Sequence, residues 1–356
     1  MSWDLLLRGA VLLAGLLLVV LTLSAAIRSF VLPRNESVRL NGWLFQGFRW
    51  IFNQLAARTV TYGQRDRVLA LFAPVALVAL PIFWLALLSL AYTGIFWGLD
   101  EGHWFRCYRI SGSSLLTLGS EEPTHGVAAT ALSYSEAALG LLLLTLLISY
   151  LPTIYQSFSR RELVVARLEL RAGSPSSATA LVEWLYGAER LYHDEPWMRW
   201  EEWFVEIEES HTSLPILSFF RSPQPGRSWV STAGIILDAA ALVFSAVEQP
   251  RSPQMEICFK AGCLALNRVH RYFEVNVRST PPRQGPLAAH AGRAQHIDRA
   301  SFDDILDQLA ACALPLRPDR TAAWQQYQEL RSRYQEALVF MARLTVAPEV
   351  STIQQG

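Results

Sequence analysis

Three stretches of the chain are continuously apolar over about 20 residues or more, the length that crosses the hydrocarbon core of a bilayer as a helix. They span residues 5–27, 68–99 and 137–158. Only Arg8 interrupts the first stretch, close to its end, and the second contains no charged residue. The pattern predicts three transmembrane helices, the second of them kinked at Pro74 and Pro81.

The connecting segments differ in charge, which predicts how the helices are oriented. The segment between the second and third stretches carries Asp100, Glu101, Glu121 and Glu122 against Arg106 and Arg109. The opposite side is rich in arginine, at positions 28, 34, 39, 49, 58, 65, 67, 160 and 161. By the positive-inside rule, we expect a multi-pass protein of the inner (plasma) membrane whose N-terminus lies outside and whose C-terminal half is cytoplasmic.

A shorter amphipathic pattern lies between the first two stretches. Its apolar residues recur at helical spacing, at Leu44, Phe48, Ile51, Phe52 and Leu55. An arginine-bearing amphipathic helix of this kind can lie in the membrane interface, or it can pack against the cytoplasmic domain. Both interpretations remain open, and in either case this helix leads directly into the second predicted span.

From about Arg160 onward the pattern is that of a soluble helical domain. Residues 181–211 predict one amphipathic helix that places aromatic side chains on one side: Trp197, Trp200, Trp203 and Phe204. Residues 228–247 are apolar enough to suggest a fourth span, but Asp238 at their centre favours a buried core helix. Residues 279–296, rich in proline, glycine and alanine, predict a flexible linker.

Composition and motifs exclude several classes of function. The net charge is zero, so nothing favours a nucleic-acid partner, and the four cysteines fit neither a disulfide framework nor a zinc site. Because no nucleotide-binding loop or catalytic arrangement is present, we expect no enzyme activity, no cofactor and no bound metal. A proline-punctuated segment holds His211, Arg221 and Arg227, which either face an anionic cytoplasmic ligand or belong to a packed loop.

Residues 111–123, "SGSSLLTLGSEEP", are unusual for an outward-facing loop. Apolar residues stand among the small hydroxyl residues in and around this stretch, at Tyr108, Ile110, Leu115, Leu116 and Leu118. Irregular backbone at membrane depth is tolerated only where it is buried in protein or lines water. The pattern therefore predicts a short helix that re-enters the membrane, followed by an extended return.

Residues 68–163 resemble the bacterial pore-loop channels of the potassium channel superfamily, which have two pore-forming helices per subunit. "SSLLTLG" is similar to the end of a pore helix and the start of a selectivity filter, and Glu122 stands where the family has an acid after the filter. "EAALGLLLLTLLISYLP" resembles an inner helix, with Gly140 at the hinge position, and "YQSFSRRE" resembles its cytoplasmic exit. The resemblance implies a homotetramer with a central pore for K⁺ or Na⁺.

The resemblance implies a filter at Thr117, Leu118, Gly119 and Ser120, but it breaks after Gly119. The family pattern continues with an aromatic residue, a glycine and an acid, whereas this chain has Ser120, Glu121 and Glu122. We expect Glu121 and Glu122 to form acidic rings at the pore mouth, which concentrate cations but discriminate weakly between them.

Two residues of the third span carry separate expectations. Gly140 either allows the inner helix to bend or lets a neighbouring helix approach. Glu136 is either an intramembrane acid bound to the pore-helix backbone or hydroxyl groups, or a shallow, hydrated residue.

The sequence as a whole predicts an all-α membrane protein with three transmembrane helices and a re-entrant pore loop, followed by a helical cytoplasmic domain. Residues 1–30 form a peripheral transmembrane helix, 31–67 the interfacial segment, 68–163 the pore domain and 164–356 the cytoplasmic domain. The predicted function is a weakly selective cation channel in the lipid bilayer, gated through that domain. The alternative is a non-conducting membrane sensor or scaffold that retains the pore-loop fold.

Overall fold

The computed structural model describes residues 2–30, 39–57, 62–124, 126–224, 226–248, 252–277 and 297–347. Within these ranges every regular element is a helix, apart from one isolated β-bridge between Val247 and Leu316. The predicted all-α class is therefore confirmed for the described residues, whereas the predicted linker at 279–296 lies outside them. The chain folds into two compact units, residues 1–155 and 156–356.

The described residues of the first unit form five helices and the start of a sixth. They are α1 (Ser2–Phe30), α2 (Arg39–Ala57), α3 (Tyr62–Ala70), α4 (Phe72–Gly98), α5 (Trp104–Leu115) and α6 (Gly126–Ala172), which continues into the second unit. The second predicted span is thus divided at Leu71, because Pro74 lacks the N–H that would bind the carbonyl of Ala70. The third lies within a far longer helix, which continues through Pro152.

Helix α1 packs antiparallel against α4 through closely approaching backbones. The Cα of Gly15 faces the carbonyl of Ala91, and that of Gly98 faces the carbonyl of Arg8, so a Cβ at either glycine would lie under 3.0 Å from a carbonyl oxygen. Arg8 also forms an ion pair with Asp100 at the same end of the two helices. Small residues that let helix backbones meet are typical of helix pairs in membranes.

The hydrophobic core of the first unit joins α4, α5 and α6 and includes Ala26 of α1. Its fully buried members include Trp84 and Phe96 of α4, Ile110 of α5 and Leu143 of α6. Helix α2 contacts α3 and α4, with the rings of Phe52 and Phe72 5.7 Å apart. Three of its large apolar side chains are exposed, at Trp50, Ile51 and Leu55.

The second unit is a helical bundle around an aromatic core. Besides the end of α6 it contains α7 (Ala178–Gly187), α8 (Asp194–Ser213), a 3-10 helix (Pro215–Phe219), α9 (Trp229–Ala246), α10 (Pro253–Val277), α11 (Arg299–Ala311), α12 (Arg320–Ser332) and α13 (Gln335–Thr345). The single helix predicted over 181–211 is in fact α7 and α8, separated by a turn in which Glu189 has φ +57°. The predicted aromatic side, Trp197 to Phe204, is buried on α8.

Four described helices are long and apolar enough to cross a membrane, and one of them differs from the rest. Three have less than half of their apolar window buried, with 22%, 39% and 17% buried in α1, the α3–α4 segment and α6. In α9 the buried share is 100%, because α7, α10, α12 and α13 surround it. Protein contacts on every side account for the apolar character of α9.

Candidate functional site

Helix α5 is short and packs on the long helices that flank it in the chain. One side of it is buried at helical spacing, through Cys107, Ile110, Ser111, Ser114 and Leu115. Its twelve residues rise about 18 Å, far less than the roughly 30 Å of a hydrocarbon core. The C-terminal turn of α5 reaches Gly140 of α6, where an added Cβ would overlap the carbonyl oxygen of Leu115.

The chain turns back sharply after α5. The N–H of Thr117 donates to the carbonyl of Ser114 at 3.0 Å, and the N–H of Leu118 donates to that of Ser113 at 2.8 Å. This is the hydrogen-bond pattern of a helix end whose closing residue is left-handed, a position that usually holds glycine. Here that residue is Thr117, with φ +55°. A β-branched residue in this region is an outlier of the kind that clusters at functional sites.

The predicted filter residues form the return loop, residues 116–124, directly after this turn. Gly119 has φ +66°, so positive angles alternate at 117 and 119. The carbonyl oxygens of Thr117, Leu118, Gly119 and Ser120 accept no hydrogen bond from any residue that the structure describes. These four residues are also exposed in the single chain. Their carbonyls are therefore available to another ligand.

Hydrogen bonds join the residue that precedes α5 by three positions, Glu101, to the last residue of the return loop, Thr124. Glu101, fully buried between α4 and α5, accepts hydrogen bonds from the N–H of Thr124 at 2.7 Å and from its hydroxyl at 3.0 Å. Arg106 also donates to that hydroxyl, at 3.3 Å. Residues 101 and 124 are in contact, whereas Leu115 lies beside Gly140 of α6. The segment 101–124 therefore runs along α6 to Gly140 and returns to its starting point.

The two acids predicted for the pore mouth have different surroundings. Glu121 forms an ion pair with Arg109 of α5, and its N–H donates to the hydroxyl of Ser113 at 3.0 Å. Its side chain is 24% exposed. Glu122 is exposed and takes part in none of the ion pairs of the described residues. The charge of Glu121 is therefore compensated by Arg109, whereas no ion pair of the described residues compensates the charge of Glu122.

Glu136 is buried where α4, α5 and α6 meet, at 0% exposure. Its Oε1 accepts a hydrogen bond from the hydroxyl of Ser111 on α5 at 2.6 Å. That hydroxyl lies 3.0 Å from the carbonyl and 3.1 Å from the hydroxyl of Ser89 on α4. The structure thus gives this acid the kind of hydroxyl partner that the sequence suggested. Its Oε2 has no hydrogen-bond partner among the described residues.

Hydroxyl pairs continue this polar contact along the same helices. Ser114 of α5 meets Ser133 of α6 at 2.7 Å, and Tyr92 of α4 meets Ser135 of α6 at 2.8 Å. Together with the contact between Ser111 and Glu136, these hydrogen bonds join α4, α5 and α6 to one another. Gly140, one turn further along α6, lies at a close helix approach inside a continuous helix; its use as a hinge stays a prediction.

In the second unit, the proposed anion-facing residues are occupied by protein groups. Arg221 donates to the carbonyls of Thr345 and Val346 at 2.7 and 2.9 Å. Arg227 forms an ion pair with Glu169. His211 is buried beside Arg161. These contacts give all three residues protein partners, as in a packed loop, and an anionic ligand for them stays a prediction.

Arg161 lies in the part of α6 that belongs to the second unit and is a buried cation with several partners. It donates to the carbonyls of Leu217 and Phe220 at 2.8 and 2.7 Å, and to Glu162 at 2.9 Å. Its Nη1 lies 3.3 Å from Nε2 of His211, whose Nδ1 lies 3.1 Å from the carbonyl of Ile207. Burial, and then the charge of Arg161, hold the pKa of His211 well below its usual range.

The centre of α9 holds a second buried charge, Asp238. Its Oδ1 accepts a hydrogen bond from the hydroxyl of Tyr334 at 2.5 Å and lies 3.7 Å from Nε of Arg331. Arg331 and Asp238 are both nearly inaccessible, and the neighbouring acid helps to raise the pKa of Arg331 against the effect of its burial. The residue that argued against a fourth span is thus paired inside the bundle.

Four arginines that the sequence did not single out converge on a cleft of the second unit. Arg167 and Arg171 stand one turn apart on α6, Arg190 lies between α7 and α8, and Arg199 lies on α8. The sequence shows the four-residue spacing of Arg167 and Arg171. Only the folded structure shows that Arg190 and Arg199 lie beside them. Among the described residues, no group of three histidine, cysteine or acidic side chains could hold a metal ion.

The described chain is thus an all-helical protein with membrane-length apolar helices and a short helix and return loop packed against two of them. No protein-family model matches it, and no curated protein and no solved structure is significantly similar to it.

Proposed function

We propose that this protein is an oligomeric cation channel whose pore is built from α4, α5, the return loop and α6. The observation that carries the proposal is the row of unpaired carbonyls at residues 117–120, placed after a short helix that packs on two long ones. A filter replaces the hydration shell of an ion with such carbonyls. The C-terminal end of α5, with its partial negative charge, also points toward the loop and favours cations.

Assembly completes the site in this proposal. One return loop cannot enclose a pore, so copies must surround an axis, and four is the number that the family resemblance implies. The membrane contains α1, the α3–α4 segment and the part of α6 that holds the third predicted span, while the exposed apolar side chains of α2 lie in the interface. The fully buried α9 belongs to the cytoplasmic unit, which gates the pore through α6.

Weak selectivity between K⁺ and Na⁺ follows from the residues after Gly119. Ser120 and Glu121 replace the aromatic residue and the glycine of the family pattern, so the outer ion sites lose their usual backbone geometry. The ion pair with Arg109 neutralises Glu121. In a tetramer, Glu122 alone then supplies an acidic ring, which attracts cations without distinguishing between them.

Ion flux through liposomes containing the purified protein tests the proposal. We expect comparable K⁺ and Na⁺ fluxes, and a reversal potential far from the potassium equilibrium value. Glu122→Gln should lower cation flux at low ionic strength, whereas Glu202→Gln, an exposed acid of α8, should leave it unchanged. If a stable oligomer passes no flux of any ion at any pH tested, the channel proposal is refuted.

The second candidate is a non-conducting membrane sensor or scaffold. The ion pair between Glu121 and Arg109 favours it, since this pair holds the loop to its own helix where a filter would continue. The double substitution Ser120→Tyr with Glu121→Gly distinguishes the two candidates. A channel should gain K⁺ selectivity, and a scaffold should remain without current.

A further inference from the structure

The cleft of the four arginines lies in the second unit, outside the candidate pore. We refer to Arg167, Arg171, Arg190 and Arg199 as the arginine cleft. Val164, Pro196 and Trp200 complete its apolar wall. Arg171 lies over the ring of Trp184 at 5.3 Å and donates to the carbonyl of Arg167 at 2.9 Å, so its position is fixed by protein contacts.

Positive charge in the cleft is only partly compensated. Glu195 is the single acid of the cleft, and it is shared by Arg190 at 2.5 Å and Arg199 at 2.8 Å. Arg167 has no carboxylate partner among the described residues. Arg171 is repelled by the other three arginines. Four cations against one anion leave a charge of +3, which a multivalent anion would relieve.

The size of the cleft restricts that anion. Its volume is about 70 Å³. One water molecule needs roughly 10–15 Å³ on the same measure, so the cleft admits on the order of five water-sized atoms. A tetrahedral oxyanion has five heavy atoms. Guanidinium groups present paired N–H donors that match the oxygens of a phosphate, and a phosphate carries the charge that the cleft lacks.

The position of the cleft along α6 favours a diffusible ligand over a lipid. Arg167 and Arg171 lie nine and thirteen residues beyond Phe158, where the third predicted span ends. At 1.5 Å per residue they are about 14 and 20 Å along the helix from that point. The headgroup layer of one leaflet is roughly 5–8 Å thick.

We propose that the arginine cleft binds the phosphate group of a small diffusible molecule. In the channel proposed above, such a ligand would bind to the helix that lines the pore, and only this consequence rests on the proposed function. Binding itself depends on the second unit alone.

Calorimetric titration of the full-length protein with inorganic phosphate, in nanodiscs of phosphatidylcholine, tests binding without any flux measurement. We expect saturable binding and a rise in the melting temperature with phosphate that chloride at equal ionic strength does not reproduce. Arg167→Gln combined with Arg171→Gln should weaken phosphate binding at least about tenfold. Arg343→Gln, an exposed arginine of α13 with no ion pair in the described residues, should leave binding unchanged.

Three results would overturn the proposal. Chloride could raise the melting temperature as much as phosphate does, which would reduce the effect to screening of repulsion. The double variant could bind phosphate as the wild type does. Alternatively, phosphate could fail to bind while nanodiscs containing phosphatidic acid stabilise the wild type but not the double variant, which would assign the cleft to a lipid headgroup. Because the two substitutions remove repulsion, the ligand-free variant should melt at or above the wild-type temperature, which verifies that it is folded.

Discussion

The two units bury acidic side chains in different ways. In the second unit, Asp238 lies beside the guanidinium of Arg331 and the hydroxyl of Tyr334. In the first, Glu136 is equally buried but has only the hydroxyl of Ser111 as a partner. A buried carboxylate is stable when a cation and hydrogen bonds compensate it, as at Asp238. At Glu136 that compensation is missing, which favours a neutral carboxylic acid.

The units also use glycine differently. Gly15, Gly98 and Gly140 of the first unit each face a carbonyl oxygen of a neighbouring helix. Gly234 and Gly262 of the second instead face the side chains of leucine and phenylalanine. Where lipid replaces water, the hydrophobic effect no longer drives helices together, so close backbone approach and polar contacts become the means of packing. Such a contrast is expected if the first unit packs in a membrane, as the channel proposal requires.

Replacing Asp238 by asparagine should have the largest effect, because the amide keeps an acceptor for Tyr334 but removes the negative charge that pairs with Arg331. Breaking a buried pair in this way costs about 3–5 kcal/mol. Urea unfolding of the second unit, followed by amide hydrogen exchange of α9 in the full-length protein, measures the loss. The matched control is Glu329→Gln, which breaks the exposed pair with Arg333 on α12 and should cost about 0.5 kcal/mol or less. A loss at Asp238 no larger than the control would refute the ion-pair interpretation.

Gly140→Ala tests close backbone approach in the first unit. The added methyl group would overlap the carbonyl oxygen of Leu115, so α5 and α6 must separate, at a cost of about 1–3 kcal/mol. Thermal unfolding in nanodiscs provides the measurement. Gly112→Ala is the control, because no atom outside its own helix lies within 4 Å of a Cβ there; alanine should stabilise α5 by about 0.5–1 kcal/mol. If Gly140 serves as a hinge only, both variants should unfold at or above the wild-type temperature.

Substitutions at Glu136 test the neutral acid directly. Alanine removes the acceptor of Ser111 and should cost about 1–2 kcal/mol. Glutamine keeps the size and the acceptor, so it should cost under about 1 kcal/mol, in contrast to the amide substitution at Asp238. Thermal unfolding of both variants in one nanodisc composition gives the comparison. If glutamine destabilises the protein as much as alanine does, Glu136 is charged and interacts with a group other than Ser111.

Much of the helical framework could be predicted from the sequence because it depends on local patterns. The three apolar stretches correspond to α1, α3–α4 and α6, the short helix predicted before residues 117–120 is α5, and Asp238 marked α9 as a protein core. Other features depend on contacts between distant residues. The ion pair of Glu121 with Arg109 and the convergence of Arg167 with Arg199 follow from how helices pack, which no local spacing encodes. Thr117 occupies a left-handed position that glycine would have signalled.

The smallest predicted effect concerns His211, which the second unit buries beside a cation. The charged groups that face it are Arg161 of α6 and, through that arginine, Glu162; the ring of Trp229 on α9 packs against it at 4.6 Å. Because its pKa is lowered on folding, the unfolded chain binds a proton that the folded chain does not. Stability from this residue is therefore complete well above pH 6.5 and decreases as the pH falls, by about 1 kcal/mol between pH 6.5 and 5.5. His211→Gln keeps an acceptor for Arg161 but cannot titrate, so urea unfolding of the variant should lose this component of the pH dependence. An unchanged pH dependence in the variant would mean that other groups are responsible, and that burial of Arg161 does not require a neutral histidine beside it.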